Sequence, residues 1–188
     1  MTTGSTRQLL ISVMIDMIAD QGFEGLSVRA VAAQAGVSTG SVQHHFPTKN
    51  EMLEAAMTSI AKHAAARGGE LEEINDPEAR LHALVDLLIP SNASDRVARV
   101  WIAFTARAAI DAKTRDTYQR LWARLKSELR LLIAGATGKP DTAADASYEL
   151  LALCDGLALS IVAEHQDPEK ARRLAHRRVD VLLGHEAS

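Results

Sequence analysis

Cysteine is almost absent from this sequence. Cys154 stands alone among 188 residues, which excludes an internal disulfide framework and a metal centre built from thiolates. Aromatic residues make up only 4%, and glycine and proline occupy just 11 and 5 positions. Ala occurs 32 times and Leu 22 times, so a chain poor in helix breakers and rich in helix formers is biased towards α-helix. Long hydrophobic runs are also missing. The apolar runs are short, for example Leu131-Leu132-Ile133-Ala134, and fall far below the ~20 residues that span a bilayer. The polar start, Met1 to Thr6, lacks the pattern of a secretory leader. The expectation is a soluble, cytoplasmic protein with no membrane partner. Strong charge of one sign is missing as well. With 21 cations against 24 anions the formal net charge is −3, which argues against coating nucleic acid by bulk charge and leaves a small reading face possible. There are no internal repeats or low-complexity tracts.

What the chain has is helical periodicity from end to end. Leu10, Met14 and Ile18 share one face of a first helix that Gly22 closes. Ser27 is placed to cap a second helix with Val28, Val31, Ala32 and Ala35 at helical spacing, and Gly36 ends it. A third, short helix starts at Ser38 or Thr39 and runs to about His44, with Val42 and Phe46 facing inward and Pro47 as its breaker. Thr48 and Glu51 have capping-box spacing at the head of a fourth helix, about 48–67. Arg67-Gly68-Gly69-Glu70 and Asn75-Asp76-Pro77 then punctuate the chain. Longer helical patterns follow, the last of them from Asp167-Pro168 to about Leu183. No alternating strand pattern occurs. The fold class is therefore all-α. Residues 1–50 form a three-helix, helix-turn-helix domain, the helix of about 48–67 joins the parts, and residues 51–188 form a helical bundle.

The tight turn Gly36-Val37-Ser38 between two short helices is helix-turn-helix grammar. A helix as short as the third is unstable alone, so Val42 and Phe46 must hold it to its neighbours. Its other face, Thr39, Gly40, Gln43 and His44, is small or polar and free to enter a major groove. Gln suits adenine edges, and Ser or Thr can bond bases or phosphates. Residues 1–55 carry only Arg7, Arg29 and Lys49 as cations against Asp16, Asp20, Glu24, Glu51 and Glu54. A single head would thus bind DNA weakly, and a dimer that doubles the contacts is the natural remedy.

The run Gly22-Phe23-Glu24-Gly25-Leu26-Ser27-Val28-Arg29, Val31-Ala32, Ala35 to Phe46, Pro47-Thr48-Lys49 and Leu53 resembles the DNA-binding domain of TetR-type transcriptional regulators over roughly residues 7–57. The resemblance implies that Ser38 to Gln43 reads bases, that Arg29 reaches DNA, and that Thr39, His45 and Lys49 touch phosphates. Lys49 would sit at a helix N-terminus, itself an anion site. The family usually has Tyr where this chain has Gln43, which makes Gln43 a candidate base reader. The expected DNA-contacting set is Ser27, Arg29, Ser38, Thr39, Gly40, Ser41, Gln43, His44, His45 and Lys49.

Residues 76–185 resemble the C-terminal domain of the betaine-repressor-type branch of that family, through Trp101-Ile102-Ala103-Phe104, Tyr118, Trp122, Asp155-Gly156-Leu157-Ala158 and Asp167-Pro168-Glu169. The resemblance implies a small effector bound between helices and a dimer interface. Trp101, Phe104, Tyr118, Trp122 and Asp155 are the candidate effector residues; plain core is the other reading of the aromatics. Residues 143–164 are apolar on more than one face, so one face is available to a partner; Leu151, Cys154, Ala158 and Ile161, with Leu174 and Val181 on the last helix, are the candidate dimer stripe.

These features describe a homodimeric, ligand-responsive DNA-binding regulator. It would be a repressor released from a palindromic operator by a small molecule, with no cofactor and no bound metal. A helical enzyme using Cys154, Asp155 and His165 is one alternative, and an architectural DNA-binding protein without effector is another. A metal set of His165, Asp167, His176 and Asp180 is disfavoured by Arg172, Arg173, Arg177 and Arg178 on the same helix.

Overall fold

The computed structural model describes residues 3–185. Among the described residues there are nine α-helices and no strand: α1 (Thr3–Gln21), α2 (Val28–Ala35), α3 (Thr39–His45), α4 (Lys49–Glu70), α5 (Pro77–Leu88), α6 (Arg96–Ile110), α7 (Ala112–Thr137), α8 (Ala143–Glu164) and α9 (Pro168–Leu183), with a 3-10 turn at Leu71–Glu73 before α5.

The expected caps form. The Ser27 hydroxyl accepts from Ala30 N at 3.2 Å, and Ser38 accepts from Ser41 N at 3.1 Å. Thr48 Oγ1 accepts from Glu51 N at 3.2 Å and donates to Glu51 Oε1 at 3.0 Å. Asp76 and Asp167 each stand before a proline at a helix start and accept backbone N–H bonds. Gly36, at φ 66°, closes α2 in the left-handed conformation that glycine adopts without strain. One expectation fails: Gly68 and Gly69 do not interrupt the chain but lie inside α4, which continues to Glu70.

Packing divides the chain into two compact units. Among the described residues, those up to 63 together with 96–118 form the first, and 64–95 with those from 119 onward the second. This division differs from the linear one at residue 50, because α6 and the start of α7 pack with the first helices. In the first unit α1 lies against α2 and α6. Leu10, Met14 and Ile18 of α1, Val31 of α2, Val42 of α3, Met52 and Met57 of α4, and Val100 and Phe104 of α6 are among its buried side chains.

The second unit is a bundle of α5, α8, α9 and most of α7. Leu81, Val85, Leu129, Ile133, Leu150, Leu151, Cys154, Ile161, Ala175 and Val179 form its core. A polar seam joins α5 to α9. His82 and His176 stack with ring centroids 4.8 Å apart, and their Nδ1 atoms are 2.6 Å apart, so one ring donates to the other. Asp86 meets His176 Nε2 at 2.7 Å, and Asp180 meets His82 Nε2 at 3.3 Å.

α8 amends the expectation that no segment approaches a membrane span. It has 22 residues and an 18-residue window of mean hydropathy 1.5, long and apolar enough to cross a bilayer. Its apolarity is divided between two sides. Ala143, Ala146, Leu150, Leu151, Cys154 and Ile161 are buried in the bundle, while Tyr148, Ala152, Gly156, Leu159 and Ala163 are exposed on the opposite side.

Candidate DNA-reading head and effector region

The candidate reading head is built from α2, α3 and the first turn of α4. α3 has one buried anchor within it, Val42, and Phe46 directly after it is buried too. Phe46 N donates to Val42 O at 2.8 Å, which closes the helix. The residues between point outward. Ser27, Arg29, Ser38, Thr39, Gly40, Gln43, His44 and Lys49 are exposed, and Ser41 and His45 are half-buried. The ten candidate DNA residues thus all remain accessible from solvent.

Two of them are already engaged: Ser27 and Ser38 use a hydroxyl lone pair to cap their own helices, leaving the O–H free to donate. Gly40 has room for a side chain, since the nearest atom to an added Cβ is Ser38 Oγ at 3.8 Å. His44 and His45 contact each other edge to face at 5.2 Å. Sequence reasoning passed over one contributor. Arg7 of α1 places its guanidinium 5.1 Å from the centroid of the Phe46 ring. In the sequence it reads only as a charge, because nothing local marks a contact 39 residues away in the chain.

The candidate effector residues divide. Trp101, Phe104 and Tyr118 come together in the first unit: Trp101 stacks on Tyr118 at 5.4 Å, and Phe104 stands edge-on to both, at 5.9 Å from Trp101 and 5.7 Å from Tyr118. Trp122 and Asp155 belong to the second unit, where Trp122 packs partly buried against its core. The first unit also has a cavity of about 70 Å³ whose lining includes Phe23, Leu53, Met57 and Phe104 together with Glu54 and Asp111. Thr114 donates to Asp111 Oδ2 from its hydroxyl at 2.6 Å and its backbone N–H at 2.8 Å. Those two bonds, assisted by Arg107 and Lys113, hold the Asp111 carboxyl below the usual carboxylate range.

Three of the candidate dimer residues need correction. Leu151, Cys154 and Ile161 are 1%, 3% and 0% exposed, sealed in their own bundle and closed to a partner. The 3.6-residue repeat of α8 gives two apolar faces, and periodicity alone does not say which one the core takes. Ala158 is half-buried, while Leu174 and Val181 are exposed.

The enzymatic alternative loses its geometry. Burial, and secondarily Asp155, pushes the Cys154 thiol up to about 12, which removes the thiolate a nucleophile requires. His165 caps the far end of α8 in a left-handed turn, about 16 Å along the helix from Cys154. The four residues of the metal reading are employed separately: His165 in that cap, Asp167 in capping α9, and His176 and Asp180 in the α5–α9 seam.

Comparison with known proteins agrees with this geometry. Residues 10–56 match the family model of bacterial regulatory proteins of the tetR family, and residues 77–184 match that of the BetI-type transcriptional repressor, C-terminal. The chain belongs to the TetR family. The HTH-type transcriptional regulator BetI of Burkholderia ambifaria is 32% identical over 182 residues, covering 94% of this chain and 93% of that protein. Its counterpart in Ectopseudomonas mendocina is 30% identical over 187 residues, with the same shares covered. A crystal structure of a transcriptional regulator from Rhodococcus sp. Rha1 superposes with a TM-score of 0.86 at 34% identity, covering 95% of this chain and 96% of that one. A regulator from Saccharomonospora viridis, solved in complex with choline, shares the fold with a TM-score of 0.87 at 22% identity, covering 94% and 96%. This TetR-family chain is a ligand-responsive, DNA-binding transcriptional regulator and not an enzyme.

Proposed function

We propose that the protein is a homodimeric repressor that holds a palindromic operator through two copies of α3 and releases it when a small methylated ammonium compound binds. The observation that carries the effector class is the Trp101–Phe104–Tyr118 trio. Aromatic faces attract quaternary ammonium groups by cation–π interaction. Choline in the Saccharomonospora neighbour supports the same chemistry. Arg107 lies one turn beyond Phe104, and its buried Nε has no hydrogen-bond partner, so it offers a donor to a hydroxyl at the other end of such a molecule.

In this reading Gln43 and its α3 neighbours read bases, while Thr39, His45 and Lys49 hold phosphates. The two-fold axis runs through the exposed sides of α8 and α9, where Tyr148, Leu159, Leu174 and Val181 stand. Function in the cytoplasm follows from the DNA partner. Effector acts by population shift, binding the state with low operator affinity more tightly than the other.

The test uses an operator selected from a random-sequence pool. Choline and its neutral carbon isostere, 3,3-dimethylbutanol, are compared for thermal stabilisation and for release of labelled operator. Choline should do both and the isostere neither. Equal effects from the two would remove the ammonium from the argument. Sequence-specific binding that no metabolite releases would favour an architectural protein.

A further inference from the structure

The α5–α9 seam is a succession of four groups: Asp86, His176, His82 and Asp180. The two rings are parallel within 9°, with centroids 4.8 Å apart. That is the length to which a 2.6 Å contact between Nδ1 atoms and one ring radius at each end add up. The two Nδ1 atoms therefore point at one another. Each Nε2 atom meets a carboxylate, His176 with Asp86 at 2.7 Å and His82 with Asp180 at 3.3 Å.

Hydrogen bonding along this succession depends on how many protons it holds. A neutral imidazole has one N–H and one bare nitrogen, and an ionised carboxylate only accepts. With both rings neutral, the ring that donates through Nδ1 turns a bare Nε2 towards its aspartate, and two acceptors face each other. With one extra proton, both Nε2 atoms donate to carboxylates and one Nδ1 donates to the other. With two extra protons, both Nδ1 atoms carry hydrogen and the central 2.6 Å contact cannot form. One extra proton is the only count that satisfies all three contacts.

The surrounding charge favours that count. Arg172 Nε lies 3.1 Å from Asp86, and Arg172 also pairs with Glu169. Asp86, Asp180 and Arg172 together carry one net negative charge, and Glu169 adds another, so a cation on the rings is attracted. Other charged neighbours are matched elsewhere. Glu149 of α8 pairs with Arg178, Glu78 of α5 meets His185 Nε2 at 3.6 Å, and Arg80 of α5 binds the carbonyls of Ile74 and Glu72.

We infer that His82 and His176 hold one shared proton between Asp86 and Asp180, and that the α5–α9 seam is thereby a latch that a second proton opens. The latch itself needs neither DNA nor effector. Its effect on assembly rests on the dimer proposed above. α9 also carries the exposed Leu174 and Val181, so acid that frees α9 from α5 loosens the two-fold contact.

Folded and unfolded chains hold different numbers of protons, and stability follows the difference. In the unfolded chain both histidines titrate near pH ~6.5. Below that, the unfolded chain holds two protons against one in the latch, and acid favours unfolding. Above it, the unfolded chain holds none, and alkali favours unfolding. The contribution of the seam should peak near pH ~6.5 and fall on both sides, by up to about tenfold in the folding constant per pH unit, the value for one proton.

Denaturant unfolding of the full chain, at fixed protein concentration from pH ~5 to ~8.5, is compared with that of His82→Gln combined with His176→Gln. The difference should trace this peak. Asp180→Asn decides its origin, because an amide N–H can donate to a bare His82 Nε2 and so completes a neutral pair. The alkaline fall should vanish, and the acid fall should steepen towards about a hundredfold per pH unit. Imidazole ¹⁵N spectra near neutral pH give the count directly, with the pair identified by its change in Asp180→Asn. Three of the four ring nitrogens should be protonated in the parent and two in Asp180→Asn, a readout that stands even if the double variant fails to fold. In sedimentation, the parent should dissociate at least about tenfold more readily at pH ~5.5 than at pH ~7, and the double variant should show no such change.

Two or four protonated nitrogens in the parent would overturn the shared proton, as would an alkaline fall that survives Asp180→Asn. Acid dissociation that is equal in the parent and the double variant would overturn the latch. A parent that is monomeric at every pH would instead strike the dimer of the proposed function, with the proton count still standing.

Discussion

The guanidinium of Arg7 lies over the ring of Phe46, 5.1 Å from its centroid. α3 is only seven residues long, too short to hold its shape alone, and Phe46 is the plug that seals its end. Arg7 therefore ties α1 to the reading helix. Arg7→Ala should weaken operator binding and lower the unfolding temperature together. Arg7→Lys keeps the charge but loses the planar stacking surface. If Arg7 acts through Phe46, Lys should recover only part of the loss. Full recovery by Lys, measured as operator Kd at fixed salt, would make Arg7 a simple phosphate contact.

Gln43 and Lys49 are both exposed but stand on opposite sides of the Pro47 break. Gln43 can offer two hydrogen bonds to an adenine edge, so Gln43→Ala should cost about 1–3 kcal/mol on the preferred site and relax preference at one position per half-site. Lys49, at the start of α4, should act on the backbone. Lys49→Ala should weaken all sequences alike and reduce the salt slope by about one unit per lost phosphate contact. Binding to a library of half-site variants at several salt concentrations separates the two. An altered preference profile from Lys49→Ala, with none from Gln43→Ala, would reverse the assignments.

Gly36 and Gly68 show what could and could not be read from the residues. In the sequence Gly36 reads as a helix end and Gly68 as part of a break in the chain. Gly36 is one, at φ 66°. Gly68 and Gly69 are ordinary members of α4, whose hydrogen bonds continue past them because no geometric demand stops them. A side chain at any of the three would meet nothing within 4 Å, so backbone conformation alone separates them. Gly68→Ala and Gly69→Ala should each stabilise by about 0.5–1 kcal/mol. Gly36→Ala should destabilise by about 1–2 kcal/mol, because a Cβ is strained in that conformation. Chemical denaturation of the three variants checks the sign.

The head was legible because its information is local. Caps such as Ser27, Ser38 and Thr48, the turn at Gly36 and the buried pair Val42 and Phe46 all act within a few residues of their own position. The rest depended on long-range packing. Nothing in the sequence placed α6 with α1, or separated Trp122 from Trp101 and Phe104. The pairing of His82 with His176 was equally hidden, since those residues are 94 positions apart.

Asp111 accepts two bonds from Thr114 at the start of α7, and its folded carboxyl is held below the usual range. A carboxyl depressed on folding adds stability that is present above its unfolded pKa and is lost as pH falls through the folded value. Asp111→Ala should therefore lower the unfolding temperature near neutral pH. The difference from the parent should shrink as pH falls below about 4, the ordinary carboxylate range. A difference that stays constant down to pH 2 would point to packing instead of the charged bond.

Leu159 is exposed on α8 and Leu151 is buried, and the two separate assembly from folding. Leu159 is 48% exposed among Ala152, Gly156 and Ala163, small residues that allow a second helix to approach closely. Leu151 is 1% exposed, inside the bundle. Leu159→Arg puts a charge where a partner helix would have to desolvate it, so sedimentation should show a folded monomer. Operator affinity should then fall steeply, since each head carries more anions than cations and needs its twin. Leu151→Ala removes packing without touching that surface. It should cost about 2–5 kcal/mol of unfolding free energy and leave the protein dimeric at concentrations where it remains folded. A dimer that survives Leu159→Arg but dissociates in folded Leu151→Ala protein would place the two-fold contact elsewhere.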